Sequence, residues 1–457
     1  MVSKLHMLTI LHAMNSTTQD TYRIVSRRLI PILFVSYVVS FLDRVNIGYA
    51  KLQMATDLGY SDVVYGFGAG IFFIGYFLFE MPSNILLNKL GARVWISRIM
   101  ITWGIVSGMF AYVDVIPWGP LPAMFGLPDH EFGLYALRFL LGLSEAGFFP
   151  GIILYLTYWY PASMRGRTIA SFMFGIAVAN IVGGPLSGFL MEYLHNVGAW
   201  QGWRWLFIIE AIPAIIMGIV LFVKLPNGPR DAAWLTESQR QDVLDAVASS
   251  QEHTSGSSNH SFRQAFSDSR VWMLTFANML GVTITYAINF WLPTILTEIG
   301  VGKQDYLMVG LISLIPWGLG GLAMLLMARN SDRTQERRWH IAGSLLACSA
   351  GLIMFAMVDP APVPSIIALT IVTCGTLSYS GLFWSLPTAL LRGTAAVAGI
   401  AMINSITNLG GQIGPEVIGR LRSSNYHPDA PFVVLACFTF VSAFLVILAT
   451  RQRKNAG

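Results

Sequence analysis

Apolar residues run along this chain in long blocks. Stretches of helical length lie near 29–50, 65–88, 95–116, 132–158, 168–192 and 204–224, each bounded by Gly, Pro or charge. A polar stretch follows from about Pro226 to Arg270, and further apolar blocks lie near 271–298, 306–328, 339–358, 364–387, 393–420 and 431–450. Nearly every block reaches the roughly 20 residues an α-helix needs to cross a hydrocarbon core. The pattern predicts twelve transmembrane helices, spans 1 to 12, in two sets of six.

The polar stretch between the sets contains TESQRQDVLDAV, a short helix by its periodicity, and SSQEHTSGSSNH, whose Ser and Gly content reads as flexible linker. Only a tethering role is expected of it. The expected organisation is a tail at 1–28, a six-helix half at 29–224, a linker at 225–270, a second half at 271–450 and a tail at 451–457.

Composition agrees with lipid as the solvent. Of 457 residues 54% are hydrophobic and 12% charged, where a soluble domain carries about 25% charged residues. The net charge of +5 would suit a polyanion, but the basic residues sit in short loops between spans, so nucleic acid is set aside as a partner. Arg23, Arg27 and Arg28 precede span 1, Lys89 and Arg93 follow span 2, and Arg165 and Arg167 follow span 4. Arg329, Arg333, Arg337 and Arg338 separate spans 8 and 9, Arg392 separates 10 and 11, and Arg451, Arg453 and Lys454 close the chain. The alternate loops carry Asp57, Asp62, Asp129, Glu131 and Asp359, diluted by Lys51, Lys303, Arg420 and Arg422. Both termini are therefore expected in the cytoplasm and the protein in the inner membrane of the cell.

Cys348, Cys374 and Cys437 lie in apolar stretches without CxxC spacing and read as packing residues. The opening MVSKLHMLTILHAM has the lysine and short apolar run of a signal peptide, but His6 and His12 interrupt it and no small-residue cleavage site follows. Met7 and Met14 are alternative starts that cost the membrane part nothing.

The loop after span 2 reads NILLNKLGARVW and the loop after span 8 reads LLMARNSDRTQERR, the same device in matching places. Both resemble the loop signature of the major facilitator superfamily. The second copy keeps Asp332, Arg333, Arg337 and Arg338. The first keeps Lys89, Gly91 and Arg93, but Asn88 stands where that family usually has Asp and Lys89 where it has Arg, so a weaker charge latch is expected there. RFLLGLSEAGFFPG on span 4, NIVGGPLSG on span 5 and NLGGQIGPEVIG on span 11 are similar to further elements of the superfamily. SFLDRVNIGYAK, GFFPG and LFWSLPTALLRGTAAVAGIAMINSITNLGGQIGP narrow the resemblance to its anion:cation symporters, in their bacterial branch of hydroxycarboxylate, sugar-acid and aromatic-acid permeases. The resemblance covers essentially the whole chain. It implies an all-α membrane protein with two six-helix pseudo-repeat halves around a central cavity, binding near the midplane and alternating access.

Independently of any family, an ionisable residue inside a span costs at least a few kcal/mol and so faces a partner or a watery cavity. Asp43 and Arg44 lie on span 1. Arg138 and Glu145 lie on span 4, seven residues and thus about two turns apart, on one face. Paired arginines suit a carboxylate, because a guanidinium stays charged and its planar fork holds two oxygens. Burial favours the protonated acid while a nearby arginine favours the carboxylate, so Asp43 and Glu145 are poised to exchange protons. The resemblance gives the same roles: Arg44 and Arg138 bind the anion, Asp43 and Glu145 couple it to protons. The competing reading is a structural salt bridge, or a pair at the membrane surface.

Tyr76, Asn180, Tyr286, Asn289, Trp384, Asn404 and Asn408 fall where that family's cavity lining would run, although such residues in a span more often pack or bond between helices. Glu80, beside Pro82, reads as an intramembrane acid near the wet end of span 2. Trp103, Trp159, Trp203 and Trp205 near span ends read as interfacial anchors. The function expected is proton-coupled uptake of a small organic anion by a monomer in the lipid bilayer, with no cofactor and no metal. A facilitator or drug antiporter of the same superfamily, an intramembrane enzyme and a receptor are the rivals. His130 and Glu131 lack the second histidine of a zinc motif, and neither a GxSxG elbow nor a nucleotide loop occurs.

Overall fold

The structure is a computed structural model. It describes residues 2–161, 164, 168, 172, 174–255, 267–302, 305–358, 360–390, 393–424 and 426–451, with the backbone alone at 2–18, 250–255, 389–390, 393–398 and 401. Arg165, Arg167, Lys303, Asp359, Arg392, Arg453 and Lys454, counted in the charge pattern, lie outside the described residues, as does the end of the Ser-rich linker.

Among the described residues there are helices and no strand. Span 1 is the later part of a helix over Val2–Leu58, span 2 is Asp62–Leu90 and span 3 is Ala92–Met109. Span 4 is made of Asp129–Glu145 and Phe148–Thr157, span 5 includes Gly175–Tyr193 and span 6 is Gly202–Lys224. Spans 7, 8 and 9 are Ser269–Glu298, Tyr306–Thr334 and Arg338–Met357. Span 10 is Pro362–Phe383, continued by Ser385–Leu390, and span 12 is Ala430–Ala449.

Eleven of these are long and apolar enough to cross a membrane. Predicted span 11 differs, because it is divided at Leu409 into Gly393–Asn408 and Gly410–Arg422. The second piece carries Gln412, Glu416, Arg420 and Arg422, and neither piece alone reaches the length a bilayer requires.

Span 6 shows how sequence chooses the lipid face. Ile212, Ile216, Ile219 and Val223 are all about half exposed or more, at the i, i+4, i+7 and i+11 positions of one stripe. Leu206, Glu210, Ala214 and Leu221 on the opposite side are buried. Span 4 shows how sequence sets a kink. Gly147 has φ 86°, a conformation that glycine alone takes without strain. Pro150 then sits in the first turn of the next helix, where no N–H is required. One turn before the kink, a Cβ on Gly142 would lie 1.9 Å from the Phe72 carbonyl oxygen, so only glycine lets spans 2 and 4 approach this closely.

Three of the four tryptophans expected as interfacial anchors are instead fully buried. Trp103 donates to Asp43, Trp203 donates to Asp57 at 3.0 Å, and Trp159 stacks on Trp234 at 5.5 Å. In each case the ring is packed inside the protein. Trp205 keeps the partly exposed position expected, bonding the Val197 carbonyl. The linker is more than a tether: Trp234 reaches Trp159, Val243 on Glu237–Ser255 is fully buried, and Asp242 accepts from Thr21 at 3.5 Å.

The bundle is tied across the two sets of helices at the end where span 1 meets span 2. Asp62 accepts Lys51 Nζ at 2.8 Å and Arg422 Nε at 2.9 Å, and Arg422 Nη1 reaches Glu298 at the end of span 7 at 2.9 Å. Trp291 lies under Lys51 at 3.7 Å and under Arg422 at 5.3 Å. Below them Tyr49 bonds Ser313 at 2.8 Å and Tyr65 bonds the Phe290 carbonyl at 2.8 Å.

Candidate functional site

Between the two sets of helices lies a cavity with about 640 Å³ of empty space, part of it continuous with solvent. Spans 1, 2, 4 and 5 supply Tyr37, Ser40, Phe41, Arg44, Phe72, Phe73, Tyr76, Phe148, Phe149 and Ile176 to its wall. The other half supplies Tyr286, Trp384, Asn404 and Asn408. The wall is thus aromatic, with one guanidinium and a few neutral polar groups.

Arg44 is the charged centre. Its Nη2 is ion-paired with Glu145, its Nη1 donates to Tyr286 Oη at 2.9 Å, and Phe41 and Phe72 flank it at 4.8 and 5.3 Å. Glu145 also takes Ser40 Oγ at 3.4 Å. Spans 1, 4 and 7 meet at this point. With side-chain exposures of 11% and 3% the pair is dry enough to need its partner, since an unpaired buried charge costs several kcal/mol.

The other charges expected in this pocket point elsewhere. Asp43, one residue from Arg44, faces the interior of its own half, where it accepts Trp103 Nε1–H at 2.6 Å and Ser107 Oγ at 3.0 Å. Neighbouring residues on a helix are about 100° apart, so the two side chains leave span 1 on different faces. Arg138 is 1% exposed, donates to the Ala69 carbonyl at 2.7 Å and lies against Phe72 and Phe290 at 5.1 and 5.5 Å, behind the cavity wall. Asn180 and Asn289 bond the carbonyls of Ile176 and Thr285 within their own helices and do not line the cavity either. The structure therefore gathers Arg44, Tyr76, Tyr286, Trp384, Asn404 and Asn408, and leaves Asp43, Arg138, Asn180 and Asn289 outside the wall.

Glu80 is a correction of a different kind. It is 5% exposed rather than wet, and it spans the two halves by accepting Asn404 Nδ2 at 2.7 Å and Ser405 Oγ at 3.1 Å. Its signal in the sequence was its place inside an apolar block. Ser405 and most of the aromatic wall gave no such signal, because Ser, Phe and Tyr inside spans are ordinary.

A family model described as Major Facilitator Superfamily matches residues 33–415. The chain belongs to the major facilitator superfamily. This bears out the resemblance drawn from its motifs, and it makes the chain a multi-pass membrane transporter rather than an enzyme. It is 42% identical over 442 residues to a protein of Agrobacterium vitis named "Putative tartrate transporter", with 97% of this chain and 94% of that one covered. It is 37% identical over 440 residues to a "Quinolone resistance transporter" of Acinetobacter baumannii, covering 96% and 97%. Its fold is similar to that of a bacterial homolog of the human lysosomal transporter Spinster in an inward-facing, unoccupied conformation. That comparison has a TM-score of 0.71 and 16% identity over 92% of this chain and 96% of that one.

The superfamily's loop signatures lie at the end of the bundle opposite the Lys51–Asp62 network. In the second copy Asp332 pairs with Arg337, which also donates to Ser331 Oγ at 3.0 Å, while Arg333 is exposed and Arg338 stacks on Trp339 at 5.1 Å. In the first copy Lys89 is exposed, Gly91 turns the chain at φ 84°, and Arg93 N–H donates to Asn227 Oδ1 at 3.1 Å beyond span 6. Asn88, in place of the expected acid, accepts from Tyr158 at 3.2 Å.

Proposed function

We propose that this transporter is a proton-coupled symporter that takes up a small organic anion, a hydroxycarboxylate, sugar acid or aromatic carboxylate, by alternating access. The observation that carries the reading is the Arg44–Glu145 pair beside an aromatic cavity. While Glu145 is ionised it occupies the Arg44 fork. Protonating Glu145 removes that competitor and leaves Arg44 free to take a substrate carboxylate, with Tyr286 already on its other amino group. Proton and anion then cross together.

Tyr76, Trp384, Asn404 and Asn408 contact the rest of the substrate. Arg138, behind Phe72, holds the local potential positive, Asp43 is the second proton-coupling acid, and Asn180 and Asn289 act through the helices they brace. Two rigid halves, 29–224 and 271–450, rock about the cavity while the linker stays on the cytoplasmic side with both termini. The loops carrying Lys89, Gly91, Arg93, Asp332, Arg333, Arg337 and Arg338 gate that face. The protein works as a monomer in the inner membrane. The name of the Agrobacterium vitis relative supports an anionic substrate.

A second reading, proton-driven export, is favoured by the name of the Acinetobacter baumannii relative. Proteoliposomes given an inward proton gradient and L-tartrate, D-gluconate or benzoate separate the two. Symport predicts accumulation of one of these acids that collapses with the gradient, is abolished by Arg44→Ala, and becomes gradient-independent exchange in Glu145→Gln. Uptake that is indifferent to the gradient removes the proposal, and so does an Arg44→Ala protein that inserts and transports normally.

A further inference from the structure

A second pair of acids lies behind the cavity. Glu210 on span 6 is 3% exposed and Asp43 on span 1 is 2% exposed, and the Asp43 charge acts on Glu210. Glu210 Oε1 accepts Ser187 Oγ at 2.8 Å, while among the described residues no hydrogen bond of good geometry reaches its Oε2. Asn46, one turn along from Asp43 and 1% exposed, is set against Glu210 with neither amide atom in a hydrogen bond of acceptable geometry.

The groups facing this pair are otherwise Tyr49 beside Glu210, whose hydroxyl is committed to Ser313, and Glu145 beyond Asp43. Among the described residues no lysine, arginine or histidine bonds either carboxylate. Arg44, the nearest cation in sequence, is turned to the cavity by Glu145 and Tyr286. Two buried like charges without a cation cannot both stay ionised. Asp43 is the better carboxylate of the two, since Trp103 and Ser107 both donate to it. Glu210 has one hydrogen bond of good geometry, from Ser187, with the Asn46 amide set against it.

We propose that Glu210 is a proton-binding site: it holds a proton on Oε2, the oxygen that no hydrogen bond of good geometry reaches, and forms with Asp43 a proton store behind the substrate cavity. One O–H bond forms at Oε2 when a proton arrives from water, and it breaks when the proton passes to Asp43. Asp43 stands electrostatically between Glu210 and the cavity acid Glu145. The use of the store in transport rests on the symport reading, but its existence does not.

Infrared difference spectroscopy of the purified transporter in liposomes tests it without any substrate. The wild type at neutral pH is expected to absorb in the carboxylic-acid C=O region, with a band that shifts on exchange into deuterium oxide. In Glu210→Gln one carboxyl's worth of that absorption is expected to vanish, and in Glu145→Gln this band is expected to persist. Should Glu210→Gln not fold, Glu210→Asp gives the reading through a change in band frequency. A wild type without the band, a Glu210→Gln spectrum that keeps all of it, or a Glu210→Asp band identical to wild type overturns the proposal. If the band behaves as expected and uptake ignores a pH gradient, the proton store stands and the symport reading falls.

Discussion

Replacing Arg422 with Gln tests whether the charge network at the Lys51–Asp62 end holds the two halves together. Its contact with Glu298 lies within one half, so the term lost across the halves is the 2.9 Å bond to Asp62. A hydrogen bond to a charged group contributes about 1.5–3 kcal/mol when buried, and an exposed ion pair about 0–1 kcal/mol. These side chains are 20% and 28% exposed, between those limits. We therefore expect a loss of about 1–2 kcal/mol, or about a 5–30-fold rise in the population open at this end.

Ser313 reports that population, because it is fully buried and bonded to Tyr49 while these helices are together. In a protein with Cys348, Cys374 and Cys437 replaced by Ala and Ser313 replaced by Cys, a membrane-impermeant maleimide labels only when this end opens. Arg422→Gln is expected to raise the labelling rate by that 5–30-fold. A rate unchanged within about twofold would show that helix packing, rather than the ion pair, closes this end, and the reasoning would fail.

Two further outcomes follow from packing and charge. Gly142→Ala forces a Cβ to within 1.9 Å of the Phe72 carbonyl oxygen. It should lower stability by about 1–3 kcal/mol or more, read as a drop in Tm in detergent; an unchanged Tm would mean that spans 2 and 4 separate without cost. Beyond the end of span 3, hydrogen bonds from Arg204, 2.8 Å from each carboxylate oxygen, hold the Asp114 carboxyl below its usual range. Its stabilisation is therefore complete above the unfolded value of about 4 and is lost as pH falls through the lower folded value. The Tm deficit of Asp114→Asn should be present at neutral pH and shrink on acidification below about pH 4, whereas a deficit that grew on acidification would reverse the assigned sign.

The sequence alone determined the solvent and the architecture. Apolar block length is a local property, and satisfying every backbone group in lipid leaves a long apolar block little choice but helix. It also flagged Asp43, Arg44, Arg138 and Glu145, because charge inside an apolar block is costly wherever the helix happens to point. Which charge meets which was a tertiary decision. Arg44 reaches Glu145 and Tyr286 from other spans, Asp43 one position earlier turns to Trp103, and Glu80 clasps Asn404 across the halves. These pairings depend on how each helix is rotated about its axis, and close backbone contacts such as Gly142 on Phe72 fix that rotation. Such contacts join residues far apart in the chain, where hydropathy and spacing carry no signal.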